Sequence, residues 1–241
     1  MQQPPAPFGS AFNGYAATTP DGWTGGDSTY SVRMPDGRTL WLFSGTFLGP
    51  LNANSTRPTG AKLINNTFVI QDGDELTTVH VGTASAPKAI MPPPDDSHWF
   101  WSGDGFIVGA RLQVIYQRYR KAGTGPMQFA FDGNVVAAFS LSNLKTPASV
   151  EKLPSDSGVA WGSAILPASR SGDGYTYVHG VSDAQTDKAM RVARVHYEQS
   201  SAGSLLISYN VNSLDNRVVD SADLYRDTSI YRPRFYRVSI R

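Results

Sequence analysis

Residues 30–43 read YSVRMPDGRTLWLF, two runs of strand-forming residues on either side of Pro35-Asp36-Gly37. Proline fixes φ at the second place of a type I turn, and a glycine accepts the positive φ that follows such a turn in a hairpin. The stretch therefore predicts a β-hairpin in which facing residue numbers sum to 72. Tyr30 then faces Leu42 and Val32 faces Leu40. The same register, extended toward the N-terminus, places Asp27 opposite Gly45.

Strand-forming runs and turn residues alternate along the rest of the 241-residue chain. Runs rich in Val, Ile, Leu, Tyr and Phe occupy residues 66–70, 112–116, 175–179 and 205–209. Clusters of Gly, Asp, Asn and Pro separate them, as is typical of turns. No window of convincing length has the 3.6-residue period of an amphipathic helix. The sequence therefore predicts an all-β fold.

The predicted hairpins fall into repeated units near residues 24–82, 98–145 and 157–195, with a last group at 203–241. Antiparallel units of four short strands and this length are the size of β-propeller blades. A sandwich or a jelly roll would also give many short strands, so both stay alternatives. We predict a Pro-rich N-terminal segment at residues 1–20 and one β-propeller-like domain at residues 21–241.

Composition excludes several classes of function. The chain has 21 basic and 20 acidic side chains, and a net charge of +1 gives no reason to expect nucleic acid as a partner. It has no cysteine, which excludes disulfides, thiol nucleophiles and Cys-based zinc sites. The four histidines lack ligand spacing, so we expect neither a metal nor another cofactor. We also expect no membrane span, and no signal peptide is visible.

Two neighbouring segments, GWTGGDSTYSV at residues 22–32 and GRTLWLFSGTF at residues 37–47, resemble a known family. Its members are secreted, mainly actinobacterial, five-bladed β-propellers, first catalogued as a domain of unknown function. Some are endo-D-arabinanases, which cut the arabinan of mycobacterial cell-wall polysaccharides. Further segments similar to the family lie at residues 65–73, 101–105, 159–164, 175–180, 191–195, 206–213 and 231–235.

The resemblance implies a secreted glycoside hydrolase whose ligand is a polysaccharide. It implies Asp27 as a catalytic carboxylate. The candidate substrate-binding residues are Asn66, Asp104, Trp161, Glu198 and Asn210.

Each candidate also has a plain structural interpretation. Asp27 could accept backbone N–H bonds at a strand start, and a turn-forming role is favoured for Asp104. Trp161, like Trp101, is more typical of an aromatic that packs a blade. Glu198 is more typical of a surface carboxylate.

The chain departs from the family in two places. The family pattern Trp-Leu-Phe-x-Asp-Thr here has glycine at position 45 where the family has aspartate. The family also carries a further stretch between the segment that ends here at Val195 and the His-x-Glu segment that begins here at His196. We therefore predict a shortened propeller with fewer or incomplete blades. Exposed strand edges of such a ring would favour self-association.

Glycoside hydrolysis generally needs two carboxyl groups beside the scissile bond, one acting as acid and the other as base or nucleophile. An aspartate at position 45 would face Asp27, whereas Gly45 supplies neither group. Three hypotheses follow, and they leave open whether the protein is an enzyme. It is an endo-D-arabinanase-like hydrolase impaired by Gly45, an inactive carbohydrate-binding relative, or a structural or assembly protein.

Overall fold

A computed structural model describes residues 7–15, 19–123, 128–154, 158–182, 194–201, 204–211, 225–226 and 232–239. The helices with described bounds include α1 (Pro7–Tyr15) and α2 (Ala168–Ser171). The strands, in chain order, are β1 (Trp23–Gly26), β2 (Tyr30–Arg33), β3 (Thr39–Phe43), β4 (Thr46–Leu48), β5 (Lys62–Ile64), β6 (Thr67–Asp72), β7 (Glu75–Val79), β8 (Val81–Thr83), β9 (Ala86–Lys88), β10 (His98–Val108), β11 (Arg111–Lys121), β12 (Phe129–Ser140), β13 (Asn143–Leu153), β14 (Val159–Leu166), β15 (Tyr177–Ser182), β16 (Arg194–Ser201), β17 (Ser204–Val211) and β18 (Arg232–Ser239).

The strands pair antiparallel into blade-like sheets, and the all-β, propeller-like prediction is confirmed. Blade 1 has the order β2-β3-β6-β7 and blade 2 the order β10-β11-β12-β13. Among the described residues, blade 3 consists of β14 and β15, and blade 4 of β16, β17 and β18. Two small sheets, β1-β4-β5 and β8-β9, accompany blade 1. No helix in the described ranges is long and apolar enough to cross a bilayer.

The first hairpin has the predicted register. Tyr30 pairs with Leu42 and Val32 with Leu40. In the loop, the Met34 N–H donates to the Arg38 carbonyl oxygen at 2.8 Å. Gly37 adopts φ +92°, which is the left-handed conformation that this turn requires. The turn residues therefore fix the register of this two-stranded ribbon, the hairpin of β2 and β3. The ribbon in turn positions Asp27.

The first strand of each blade lies against its neighbours. Strand β10 contacts both β2 and β14, and β16 also contacts β2. Blades 4, 1, 2 and 3 therefore follow one another in that order.

Two hydrophobic clusters fill the spaces beside blade 1, because β3 buries both of its faces. Leu40 and Leu42 point toward blade 2 and pack in a cluster with Phe68, Phe100 and Tyr116. On the opposite face, Trp41 and Phe43 pack in a second cluster with Phe12, Trp23 and Phe235. Burial of both faces explains why residues 39–43 form a nearly continuous apolar run rather than an alternating one.

The short helices α1 and α2 accompany the strands, although no sequence window of convincing length has a helical period. Helix α1 has nine residues, too few to be stable alone in water. It forms against the second cluster, where the Phe12 ring lies 4.9 Å from Trp23 and 5.5 Å from Trp41 between ring centres. Because these contacts stabilise α1, its nine-residue sequence needs no pronounced helical periodicity.

Candidate functional site

Asp27 directly follows β1 and lies beside Gly45. Its backbone N–H donates to the Gly45 carbonyl oxygen at 3.2 Å, and the Ser44 N–H donates to the Asp27 carbonyl oxygen at 2.9 Å. The last regular pair before it, Gly26 with Thr46, has the expected sum of 72. Positions 27 and 45 are thus neighbours across the ribbon, as the hairpin register predicted.

The backbone after Asp27 adopts a conformation that residues other than glycine rarely take. Ser28 has φ +75° and Thr29 has φ +57°. For a β-branched residue such as threonine this is an outlier, and strained backbone is concentrated at functional sites. The turn is fixed by the Thr29 N–H, which donates to the Asp27 carbonyl oxygen at 3.1 Å.

A chain of hydroxyl groups connects this turn to blade 2. The Ser44 Oγ donates to the Ser102 carbonyl oxygen at 3.2 Å, and the Ser102 Oγ donates to the Phe43 carbonyl oxygen at 3.1 Å. The Ser28 and Ser44 oxygens are 2.6 Å apart. Because the Ser44 proton is used toward Ser102, Ser28 is the donor in this pair. The strained turn is therefore anchored to the first strand of the next blade.

Asp104 lies within a long strand and not in a turn, so the turn-former interpretation is wrong. The pairing of β10 with β11 is interrupted between Ser102 and Gly105, which marks a β-bulge. The Asp104 Oδ1 accepts the Gly105 N–H and its Oδ2 accepts the Ile165 N–H of β14, each at 2.8 Å. Asp104 thus connects blade 2 to blade 3.

The glycines around Asp104 allow close approach of two strands. A Cβ on Gly103 would lie 2.9 Å from the Gly162 carbonyl oxygen, closer than real Cβ atoms come to such an atom. Close backbone packing, and not a turn, therefore requires glycine here.

Asn66 is fully buried and bonds only to backbone in the described contacts. Its Oδ1 accepts the Met91 N–H at 2.8 Å, and its Nδ2 donates to the Met91 and Phe100 carbonyl oxygens, each at 3.0 Å. This carboxamide has no face for a ligand. We therefore assign Asn66 to bracing blade 1 against β10 and remove it from the candidate substrate contacts.

Trp161 lies half-buried where blade 2 meets blade 3. Its backbone N–H donates to the Asn134 Oδ1 at 3.0 Å, and its carbonyl oxygen accepts the Gln117 Nε2–H at 3.1 Å. The indole N–H donates to the Pro154 carbonyl oxygen at 3.0 Å. These bonds position Trp161 firmly, in agreement with a blade-packing role.

Two other predicted residues lie on the last blade. Glu198 is on β16 and Asn210 is on β17. Their side chains are outside the described part of the structure. No group of three or more His, Asp or Glu side chains placed to hold a metal ion occurs in the described ranges.

A buried histidine close to the candidate turn was missed by sequence reasoning. His196 is 1% exposed, and its Nδ1 lies 2.5 Å from the Ser31 Oγ while its Nε2 lies 2.7 Å from the Ser208 Oγ. Its ring packs on Trp41, with 5.0 Å between centres. This contact fixes β16 against β2, the strand that follows Asp27. The signal in the sequence is the His-x-Glu segment, of which only Glu198 was predicted to contact substrate.

Comparison with known proteins gives a family and a fold. A solved structure from Bacteroides ovatus ATCC 8483, described as a "putative hydrolase", matches with a TM-score of 0.73 and 15% identity over 96% of this chain and 88% of that chain. At this identity the likeness shows the fold alone. No curated protein matches the chain. The family model described as "Domain of unknown function (DUF5005)" matches residues 9–199, most of the chain. The chain therefore belongs to the DUF5005 family.

Proposed function

We propose that the protein is a glycoside hydrolase-like propeller that acts on arabinofuranosyl cell-wall polysaccharide outside the cell, with Asp27 as one catalytic carboxylate. The observation that carries the proposal is the adjacency of Asp27 and Gly45 across the first ribbon. In the arabinanase-containing family that the sequence resembles, an aspartate occupies the position of Gly45. The neighbouring turn at Ser28 and Thr29 supports a functional role for this region, since strain of this kind persists where function requires it.

The chemistry follows from the distance between facing positions. Side chains opposite one another on antiparallel strands have Cβ atoms about 4.5–5.5 Å apart. Carboxyl groups about 5–5.5 Å apart are typical of retaining glycosidases. Two such groups cannot both ionise easily, so one stays protonated and serves as general acid. With glycine at position 45, that position supplies no acid opposite Asp27, and acid–base assistance of about 10²- to 10⁴-fold is lost.

Further support comes from the likeness to the Bacteroides ovatus protein, whose description as a hydrolase fits a hydrolytic role for this fold. The wider motif resemblance favours arabinan over other polymers. The second candidate function is carbohydrate binding without hydrolysis. It is favoured by Gly45 itself and by Asp104, whose two carboxylate oxygens are both engaged by backbone N–H groups.

The test is hydrolysis of arabinogalactan by the wild type and by Gly45→Asp, followed as released reducing ends. Gly45 is buried, and its φ is not in the left-handed region, so its backbone conformation does not itself require glycine. We expect Gly45→Asp to be faster by about 10²- to 10⁴-fold. Gly45→Asn, which adds an uncharged side chain of the same size, should bring no gain. Circular dichroism verifies that both variants fold.

Asp27→Asn should remove the activity in either background. Equal rates for the wild type and Gly45→Asp would contradict the importance of position 45. An undiminished rate in Asp27→Asn would overturn the assignment of Asp27. If the wild type and Gly45→Asp both bind the polymer and neither hydrolyses it, the carbohydrate-binding alternative is selected.

A further inference from the structure

His196 lies between two serine hydroxyl groups. Its Nδ1 is 2.5 Å from the Ser31 Oγ of β2, and its Nε2 is 2.7 Å from the Ser208 Oγ of β17. One imidazole thus bridges blade 4 to the first strand of blade 1. A serine within hydrogen-bond reach of a histidine, which is itself oriented by a third group, is the arrangement that activates a hydroxyl as a nucleophile.

The hydrogen-bonding capacity of the imidazole decides how the two hydroxyl groups are used. A neutral imidazole has one N–H donor and one nitrogen that accepts. The ring of His196 is 1% exposed and packs on the rings of Trp41 and Phe235, with 5.0 and 5.9 Å between centres. Surroundings of this kind disfavour the charged form. One of the two serines therefore accepts from the ring, and the other donates its hydroxyl proton to the ring.

The two serines differ in their access to solvent. Ser208 is completely buried, whereas Ser31 is half-buried. Of the two, only Ser31 can therefore meet a substrate. When the ring proton is on Nε2, the ring donates to Ser208 and its Nδ1 accepts the proton of Ser31. Ser208 then fixes the tautomer and the orientation of the ring, and Nδ1 is the base.

A second serine–histidine contact, in blade 2, shows that a short distance alone does not activate a hydroxyl. The Ser97 Oγ is 2.9 Å from the His98 Nδ1. That nitrogen also lies 2.8 Å from both carboxylate oxygens of Asp95, to which Ser97 donates at 2.7 Å. An ionised carboxylate only accepts, so the His98 Nδ1 carries a proton and cannot take one from Ser97. At His196 the two contacts described above are to hydroxyl groups, which leave one nitrogen able to accept.

The surroundings of Ser31 limit the size of its substrate. Its neighbours along β2, Tyr30 and Val32, point into the cluster that faces blade 2. Because side chains alternate along a strand, Ser31 points to the other face, toward β16. Across the ribbon it pairs with Trp41, which is completely buried. The reacting group must enter between two blades beside a flat apolar ring, which suits a short acyl chain.

We propose that Ser31 is a nucleophile toward small carboxylic esters, with His196 as its base and Ser208 as the residue that positions His196. The Ser31 Oγ bonds to the acyl carbon while its proton passes to the His196 Nδ1. The bond from the acyl carbon to the alcohol oxygen breaks, and the alcohol leaves with that proton. Water then attacks the acyl carbon and gives a proton to Nδ1. The carboxylic acid is released, and the proton returns to Ser31. This activity goes beyond the one proposed for Asp27.

The experiment treats the whole chain with p-nitrophenyl acetate. The absorbance of p-nitrophenolate gives the rate, and peptide mass spectrometry after an acid quench in the first turnovers locates the acetyl group. We expect acetylation of Ser31 and none of Ser97, although Ser97 is the more exposed of the two. Equal acetylation of both would mean ordinary hydroxyl reactivity and would overturn the proposal. An unmodified Ser31, with an unchanged rate in Ser31→Ala, would overturn it as well.

Substitution separates the roles of the nucleophile and the base. Ser31→Ala should lose the acetylated peptide. His196→Gln should lower the rate by about 10²- to 10⁴-fold, the usual contribution of acid–base assistance. Ser142→Ala is the matched control, because it removes an exposed hydroxyl that bonds to another serine, Ser140, and it should leave the rate unchanged. Circular dichroism verifies folding, and an undiminished rate in folded His196→Gln would contradict the role of the imidazole.

Nitrogen NMR of the unsubstituted protein reports the tautomer of His196 directly. We expect a proton on Nε2 and none on Nδ1, and a proton on Nδ1 would overturn the assignment of the base. In Ser208→Ala the preference for Nε2 should weaken, whereas Ser208→Thr, which keeps the hydroxyl, should retain it. A merely structural Ser208 would leave the tautomer unchanged in both variants. Since none of these measurements uses a polysaccharide, failure of the proposed function is distinguishable from failure of this inference.

Discussion

Ser28 illustrates how single residues shape the candidate site. Its φ of +75° is a conformation that costs an L-residue about 1–2 kcal/mol. The hydroxyl partly offsets this cost by donating to Ser44, which in turn donates to Ser102. The backbone beside Asp27 is therefore held in an unfavourable state by a chain of hydrogen bonds that runs through Ser44 to β10.

This leads to a prediction for two substitutions at the same position. Ser28→Ala and Ser28→Gly both lose the hydroxyl, but only glycine relieves the left-handed backbone. After allowance for the greater entropy of glycine in the unfolded chain, we expect Ser28→Gly to be the more stable by about 1 kcal/mol. Urea unfolding of both variants measures the difference. An alanine variant as stable as the glycine variant would show that residue 28 is not strained.

At the scale of elements, local chemistry was predictable and long-range contacts were not. The hairpin around Gly37 was predicted with its register because its turn residues act within five positions. Asp104 was placed in a turn because nothing local reveals that its carboxylate bonds Ile165, 61 residues later. Asn66 was expected to contact ligand, yet its partners are Met91 and Phe100.

In the candidate site, too, local contacts were predictable from the sequence and long-range contacts were not. The adjacency of Asp27 and Gly45 follows from the hairpin register and was available from the sequence. The bond from Ser44 to Ser102 was not, because the two residues lie 58 positions apart and on different blades. The packing of α1 likewise depends on strands that are distant in sequence.

The connection between β14 and β15 provides a prediction about pH. A hydrogen bond from the Tyr177 hydroxyl, with the Tyr175 N–H and Ser171 adding to it, lowers the pKa of Asp173 to about 2. The same contact raises the pKa of Tyr177. Asp173 therefore stabilises the loop above its unfolded pKa of about 3.9, and this contribution is lost as pH falls toward 2. The contribution of Tyr177 is present below about pH 10 and is lost as pH rises through its raised pKa.

Tyr177→Phe removes the hydroxyl that is the largest cause of the shift. In this variant we expect the pKa of Asp173 to rise part of the way to its ordinary value, since the Tyr175 N–H still donates at 3.0 Å. An NMR titration of the side-chain carboxyl carbon, compared with the wild type, measures it. The exposed Asp36, whose pKa is lowered chiefly by Arg38, is the internal control and should not change. Identical Asp173 titrations in the two proteins would contradict the role of Tyr177.

At the scale of the whole molecule, the two ends of the described chain meet beside blade 1. From β18, Arg232 donates through Nε to the Thr24 carbonyl oxygen at 3.0 Å and through Nη1 to the Asn13 Oδ1 at 3.2 Å. Phe235 of the same strand stacks on Phe12 of α1, with 6.1 Å between ring centres. The N-terminal helix therefore joins blade 4 to blade 1 and is part of the fold.

Phe12→Ala tests this joining role. Phe12 is 2% exposed and its ring contacts Trp23, Trp41, Phe43 and Phe235, so its removal leaves a cavity shared by α1, blade 1 and blade 4. Loss of a buried phenylalanine of this kind costs about 3–5 kcal/mol in the free energy of unfolding. Tyr175→Ala removes a similar ring from an exposed site and should change that free energy by no more than about 0.5 kcal/mol. Urea denaturation followed by tryptophan fluorescence compares the two, because Trp23 and Trp41 report directly on the cluster. A loss below about 1 kcal/mol in Phe12→Ala would mean that α1 is dispensable and that the blades hold together without it.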